Sequence, residues 1–405
     1  MNGLSSGPWS ILALCAGLVT PLVVTPLVAQ TQPPAAASRP APTPPAAAHA
    51  TEFDRLVQAA TDARQAERWD EAIGLYAKAV KLKPDYVEGY WYQGTAHYTL
   101  DNHLQCRDMF RRVVRLAPKN GAGYAFLGLC EFGLKEYDRS LQHLLQSRRL
   151  GVGDVPDLAG MARYHAAILM SRIGEYEQAL ETLGEFAAAG NDNPSVIEAM
   201  GIATLRIPML PIELPPDRRE MVLMAGRGSY MMATRNTASA AKAFDTLATR
   251  YPETPNVHYA YAVFLLQEQA DQAIEEFKRE LELQPGHPPS LTQIAYEYLK
   301  RGDAQAALPW AQKAVEAAPK EFTTHKALGQ ALLETGDIDG AIRELELGIT
   351  LAPESPGLHF TIARAYQRAG RQEDATRARN EFTRLDRIAR THKSGAQSVG
   401  GHIER

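Results

Sequence analysis

The chain has 405 residues, of which 45% are hydrophobic, 22% charged and 8% aromatic, with a formal net charge of −4. That length holds one or two ordinary cores or a single elongated array, and 43 basic against 47 acidic residues exert no overall electrostatic pull toward nucleic acid. Three cysteines are too few for a disulfide scaffold and lack the spacing of a zinc site.

Residues 1–30 contain no Asp, Glu, Lys or Arg, and the first charged residue is Arg39. From Trp9 to Val28 the chain is apolar, broken only by Ser10, Thr20 and Thr25. Such a stretch is an export signal or a membrane anchor and stands apart from the fold. Pro21 and Pro26 would each remove a helical hydrogen bond, which favours a cleaved signal, with a cut after Ala29, over a straight spanning helix. The segment lacks the usual Lys/Arg start, so a retained anchor and a misplaced start codon stay open alternatives. Cys15 follows Leu12-Ala13-Leu14, but Leu14 is too large for the residue before a lipidated cysteine. Residues 31–50 are almost entirely Pro and Ala and read as a semi-extended linker. Signal, linker and folded domain in that order set the expectation of an exported protein, periplasmic or extracellular, touching a membrane only through its N-terminal segment.

From residue 51 onward a 34-residue period runs through the chain. Ala273, Ala307, Ala341 and Ala375 keep it, as do Ala72, Cys106 and Ser140. Gly94 and Gly128 form a second series with Ala295, Gly329 and Ala363, and Pro84, Pro118, Pro252, Pro285, Pro319 and Pro353 a third. Between markers apolar residues recur at helical spacing, two helices of about a dozen residues per period. Small residues sit where paired helices cross and let the axes approach. Tyr76, Phe110, Phe244 and Phe277, four positions after the second-helix small residue, fill the remaining space. Gly302, Gly336 and Gly370 close first helices, and the Leu-x-Pro triplets ending at Pro84, Pro118, Pro285 and Pro353 end second ones.

These residues resemble the tetratricopeptide repeat (TPR) family, whose pattern is an aromatic, Leu-Gly, Tyr, then Ala, Phe, Ala and Pro at fixed offsets. Leu328-Gly329, Leu332, Ala341, Leu345 and Pro353 make one good copy, and Tyr124, Leu127-Gly128, Ser140 and Leu144 another. The resemblance implies an all-α, right-handed superhelical solenoid of antiparallel helix pairs, about nine repeats over three quarters of the chain. The units fall near 53–86, 87–120, 121–154, 160–193, 221–254, 255–287, 288–321, 322–355 and 356–389. The phase slips by about five residues between 150 and 159. Residues 194–220 carry one helix ending near Arg206 and then a proline-rich stretch, Ile207 to Pro216. They read as a degenerate repeat separating an N-terminal block, 51–193, from a C-terminal block, 221–390, either as a hinge or as a fixed wedge.

No stretch holds a catalytic domain, and there is no Gly-rich phosphate loop, His-Glu-x-x-His or Gly-x-Ser-x-Gly. No cofactor or metal site is expected: the eleven histidines are scattered, and His97 and His103 merely straddle a turn. Cys106 and Cys130 lie on helices that should be neighbours, and whether they bond stays open. The segment Arg364–Lys393 holds nine Lys/Arg against four Asp/Glu and reads as a polar capping helix, with a disordered tail over 391–405.

In the TPR family the first helices line a concave face. Carrying its groove-facing positions over, the resemblance points to Trp91, Tyr92, Tyr98, Phe126, Phe132, Tyr164 and His165 in the N-terminal block. In the C-terminal block it points to Tyr259, Tyr296, Lys300, Lys326, Gln330, Arg364 and Arg368. The charged clamp of the chaperone-binding members is missing, since Val57, Thr61, Tyr92 and Thr95 stand at its positions. Aromatic anchors suit a peptide laid in a groove. The expectation is therefore a non-enzymatic scaffold of the cell envelope binding a protein or peptide; the alternatives are a strut in an export or assembly machine and an enzyme with a cryptic site near 207–220.

Overall fold

The computed structural model describes residues 44–153 and 156–398; the apolar segment at 1–30, the linker as far as residue 43, and residues 399–405 lie outside them. Contacts divide the chain into a unit ending at Arg55 and one from Leu56 to Arg405, the latter carrying the helix pairs. Every described element is helical.

The N-terminal pairs are α1 (Pro44–Gln65) with α2 (Trp69–Leu82), α3 (Val87–Thr99) with α4 (His103–Leu116), α5 (Gly121–Gly133) with α6 (Tyr137–Leu150), and α7 (Pro156–Arg172) with α8 (Tyr176–Ala188). Helix α9 (Pro194–Thr204) follows. The later pairs are α10 (Arg219–Ala233) with α11 (Thr237–Arg250), α12 (Val257–Leu265) with α13 (Ala270–Leu283), α14 (Pro288–Lys300) with α15 (Ala304–Ala317), α16 (Phe322–Thr335) with α17 (Ile338–Leu351), and α18 (Pro356–Arg368) with α19 (Gln372–Ser398). From α3 to α8 and again from α10 onward, each helix packs on the next in the chain, so the core runs through the stack as a helical-repeat solenoid.

The period has a direct physical cause. A Cβ at Gly94 would lie 2.6 Å from the Phe110 ring, one at Gly128 2.7 Å from Leu144 Cγ, one at Gly228 3.0 Å from Phe244, and one at Gly329 2.6 Å from Leu345 Cγ. Each first-helix glycine is thus the floor on which one large second-helix side chain rests. The first helices end in the left-handed region: Gly174, Gly302, Gly336 and Gly370 have φ of 91°, 77°, 96° and 77°. Glu67, Asp101 and Lys135 take the same conformation in the early repeats, where a side chain makes it costly. Asn236, Asp303 and Asp337 cap the following helices by accepting the backbone N–H three residues on. A disulfide between Cys106 and Cys130, with Cα atoms 5.9 Å apart, ties α4 to α5.

Around the proline-rich stretch the chain forms two short 3₁₀ turns, Pro211–Glu213 and Pro216–Arg218. No second helix follows α9; α10 packs directly against it and also pairs with α11. The backbones touch at this crossing: a Cβ at Gly201 would stand 1.9 Å from Val222 O, and one at Gly226 1.9 Å from Ile197 O. Leu205, Ile207, Leu210 and Leu214 are buried beneath the turns. The geometry is that of a packed wedge. Three boundaries differ from the sequence reading, the first being α1, which starts at Pro44 inside the stretch 31–50 read as a linker. Helix α7 starts at Pro156, ahead of the unit placed at 160, and α19 is helical through Ser398 where a disordered tail from 391 was expected. Residues 391–398 contain no proline, and Lys393, Ala396 and Gln397 among them are good helix formers.

Candidate peptide-binding face

The nominated aromatics of the N-terminal block are half-buried and touch one another from first helix to first helix. Trp91 on α3 meets Phe126 on α5 edge-on at 5.5 Å, and Tyr98 meets the same ring at 5.5 Å. Phe126 in turn stacks on the core ring of Phe110 at 4.9 Å. Further along, Phe132 on α5 meets His165 on α7 at 4.7 Å, and Tyr164 abuts His165 at 5.5 Å. At the other end Tyr92 stacks on Tyr76 at 5.3 Å. The result is a row of ring edges whose inner sides are rooted in the core. Such rings are already held in place, so little conformational entropy is lost when a partner covers them.

His165 is the one imidazole among the nominated residues of that row. Its Nδ1–H donates to Met161 O at 2.8 Å, which leaves the Nε2 lone pair as an acceptor. Burial holds its pKa below the ordinary histidine value, with the Met161 bond opposing, so the ring is neutral at pH 7.

The C-terminal residues form separate, more polar contacts. Tyr296 donates its hydroxyl to Thr323 O at 3.2 Å, and Lys326 Nζ sits 5.7 Å from the Tyr296 ring centroid. Burial raises the pKa of Tyr296 and lowers that of Lys326. Arg364 and Arg368 both bind Glu334, at 2.7 and 3.2 Å. Lys300 pairs with Glu297, and Gln330 is half-buried.

Tyr259 is placed differently from the expectation: it is buried, 8% exposed, and lines no groove. Its ring packs on Phe277 at 5.8 Å and His287 at 5.0 Å, and the Arg206 guanidinium covers it at 5.4 Å. Burial pushes its hydroxyl up to about 12. The cause is the missing helix after α9, which brings Arg206 onto α12. Several side chains on or beside the face escaped the sequence reading. Arg64 covers Tyr92 at 4.3 Å, and Arg172 covers Tyr137 at 4.8 Å while pairing with Glu213 at 2.9 Å. Charge pairing across 30 or 40 residues leaves no local signal in the sequence.

Among the described residues no group of three or more His, Cys, Asp or Glu stands together to hold a metal ion, and no helix is long and apolar enough to cross a membrane. In the stretch suggested for a cryptic site, the Glu213 carboxylate is spent on Leu210 N–H and Arg172.

The tetratricopeptide repeat family model matches residues 57–105, and the model of the Chs5p-Arf1p-binding proteins matches residues 219–347. No functionally curated protein matches the chain. Among solved structures, MamA from Desulfovibrio magneticus RS-1 is 20% identical, with 42% of this chain and 96% of that one covered and a TM-score of 0.36. A MamA from AMB-1 is 22% identical over 40% and 98%, TM-score 0.36. The Cut9–Hcn1 hetero-tetramer is 12% identical over 84% and 88%, TM-score 0.39. Overlaps this loose carry no weight beside the helix pairs themselves. With its phase, its glycine-floored crossings and its match over residues 57–105, the chain is a helical-repeat scaffold similar to the tetratricopeptide repeat proteins.

Proposed function

We propose that this scaffold is exported and non-enzymatic, and that it holds a peptide or protein segment against the aromatic row of its N-terminal first helices. The observation that carries the reading is the pair of ring contacts from first helix to first helix, Trp91 and Tyr98 with Phe126 between α3 and α5 and Phe132 with His165 between α5 and α7, with each ring only partly buried. Aromatic side chains rooted in a core and open at one edge are the residues that dominate binding hot spots. The match to a family described as binding other proteins supports a protein as the partner class. The Cys106–Cys130 disulfide supports export, because such bonds persist in oxidising compartments.

The test is capture of envelope proteins by the wild-type chain and by Trp91→Ala/Tyr98→Ala/Phe132→Ala. A partner lost in the triple variant, with helicity unchanged by circular dichroism, supports the groove. If the variant captures the same set equally well, the rings serve packing alone and the chain acts as a strut.

A further inference from the structure

Arg64 is an arginine without a carboxylate. It lies on α1 at the head of the aromatic row, its guanidinium 4.3 Å above the Tyr92 ring, and its Nε is buried with no hydrogen-bond partner. Arg163, Arg172, Arg206 and Arg364 each reach a carboxylate oxygen, at 3.0, 2.9, 2.5 and 2.7 Å. None pairs with Arg64 among the described residues; Asp62, on the same helix, instead accepts from Gln58 at 2.9 Å. A guanidinium has five donors and no acceptor, and leaving a buried one unsatisfied is unfavourable.

The platform beneath it is fixed. Thr61 gives its single hydroxyl hydrogen to Val57 O at 2.8 Å, so in its 3.2 Å contact with Tyr76 the tyrosine must be the donor. That bond locks Tyr76, Tyr92 stacks on Tyr76 at 5.3 Å, and the Arg64 guanidinium carbon sits over the Tyr92 ring. A guanidinium held over a ring keeps its planar fork of N–H donors, the geometry that suits a carboxylate.

We propose that Arg64 is the anion subsite of the peptide-binding face. It takes a carboxylate of the ligand and so sets the register in which the following residues meet the rings. The proposal rests on the peptide-binding reading above and adds ligand chemistry to it. Neighbouring helices lie on the order of 10 Å apart, and an extended peptide advances about 3.3 Å per residue. The Trp91 and Phe126 ring centroids lie only 5.5 Å apart, so one large apolar residue roughly three positions from the acid covers both.

The test is selection from a random twelve-residue peptide display on the full chain, wild type and Arg64→Met, followed by titration of the enriched peptides. Wild type should enrich Asp or Glu about three positions from an aromatic or aliphatic residue. Exchanging that acid for Gln should weaken binding about tenfold for wild type and hardly at all for Arg64→Met, which keeps the apolar preference. Enrichment confined to peptides ending at the acid, and abolished by C-terminal amidation, identifies the main-chain carboxylate as the source. If Arg64→Met loses helicity, Arg64→Lys replaces it: a charge without the fork should bind between the two. Apolar enrichment without any acidic bias, or an equal Gln penalty in both proteins, overturns the subsite and leaves the groove standing. No enrichment of any peptide overturns both.

Discussion

Nδ1 of His258 lies 2.6 Å from a carboxylate oxygen of Glu276, and the opposite ring nitrogen lies 2.9 Å from the carbonyl of Pro252. Both partners are acceptors, so both nitrogens must carry hydrogen and the ring is an imidazolium. It staples the start of α12 to the preceding turn and to α13. Arg279 holds the other Glu276 oxygen at 2.6 Å, and Glu280 accepts the N–H groups of Asn256 and Tyr259 beside it. The same geometry recurs at His325, with Glu344 at 2.8 Å and Pro319 O at 2.9 Å.

The hydrogen bond to Glu276 raises the His258 pKa against the opposing effect of burial. A histidine raised on folding contributes stability that is complete below its unfolded pKa, about 6.5, and disappears as pH climbs through the folded value. His287 has the opposite sign: burial, and then the Arg206 charge, push it down to about 4, so its contribution holds above about 6.5 and is lost as pH falls toward 4. Urea melts of wild type and His258→Gln should therefore differ most below about pH 6.5 and draw together as pH rises. A gap that widens with pH would contradict the charged staple.

Two glycines of neighbouring helices should respond to alanine in opposite directions. Gly74 is exposed in the middle of α2 with nothing within 4 Å of an added Cβ, so Gly74→Ala should stabilise by about 0.5–1 kcal/mol through helix propensity alone. Gly94 faces the Phe110 ring, which is fully buried and cannot retreat. Overpacking there should cost about 1–3 kcal/mol and outweigh the same propensity gain. Chemical denaturation of the two single variants decides it; a Gly94→Ala variant as stable as wild type would mean the helices slide apart freely.

This contrast also shows why so much of the fold was legible. Gly94 and Phe110 are sixteen residues apart, and the same pair of roles returns at Gly128 with Leu144 and at Gly329 with Leu345. A contact copied every period prints itself on the sequence. The aromatic row was legible for the same reason, since first-helix positions inherit their direction from the repeat. What the repeat does not copy stayed hidden. Tyr259 occupies a groove-facing position by phase, but the one place where a helix is missing turns Arg206 onto it. The solitude of Arg64 and the His258–Glu276 pair depend on which charges happen to meet across helices, and no spacing encodes that.

The Cys106–Cys130 bond closes a loop of sequence separation 24 and joins consecutive repeats across buried positions. Closing a loop of that size on the unfolded chain is worth about 3 kcal/mol. Cys106→Ala/Cys130→Ala should lower the urea midpoint of wild type held oxidised, and the double variant should be insensitive to dithiothreitol. Equal stability of oxidised and reduced wild type would show that the thiols contribute only as small apolar side chains.

The crossing of α9 and α10 is the place where the array should be least tolerant of change. At the other pairings Gly94, Gly128, Gly228 and Gly329 face side chains, but Gly201 and Gly226 face the carbonyls of Val222 and Ile197 at 1.9 Å from where a Cβ would stand. A methyl group at either position must move a whole helix, and α10 is simultaneously the partner of α9 and of α11. The displacement would reach buried Ile202, Leu205, Met221 and Val222 in the same core. Gly226→Ala should cost about 3 kcal/mol or more, in contrast to Gly74→Ala, which adds the same methyl group. Because a solenoid couples only neighbouring repeats, the loss should appear as uncoupling. Hydrogen exchange should quicken in α9 and α10, and the single unfolding transition should split in two, while protection around Ala341 and Leu345 in α17 stays as in wild type. Uniformly raised exchange along the whole chain would show instead that the wedge is no special joint and that the array melts as one body.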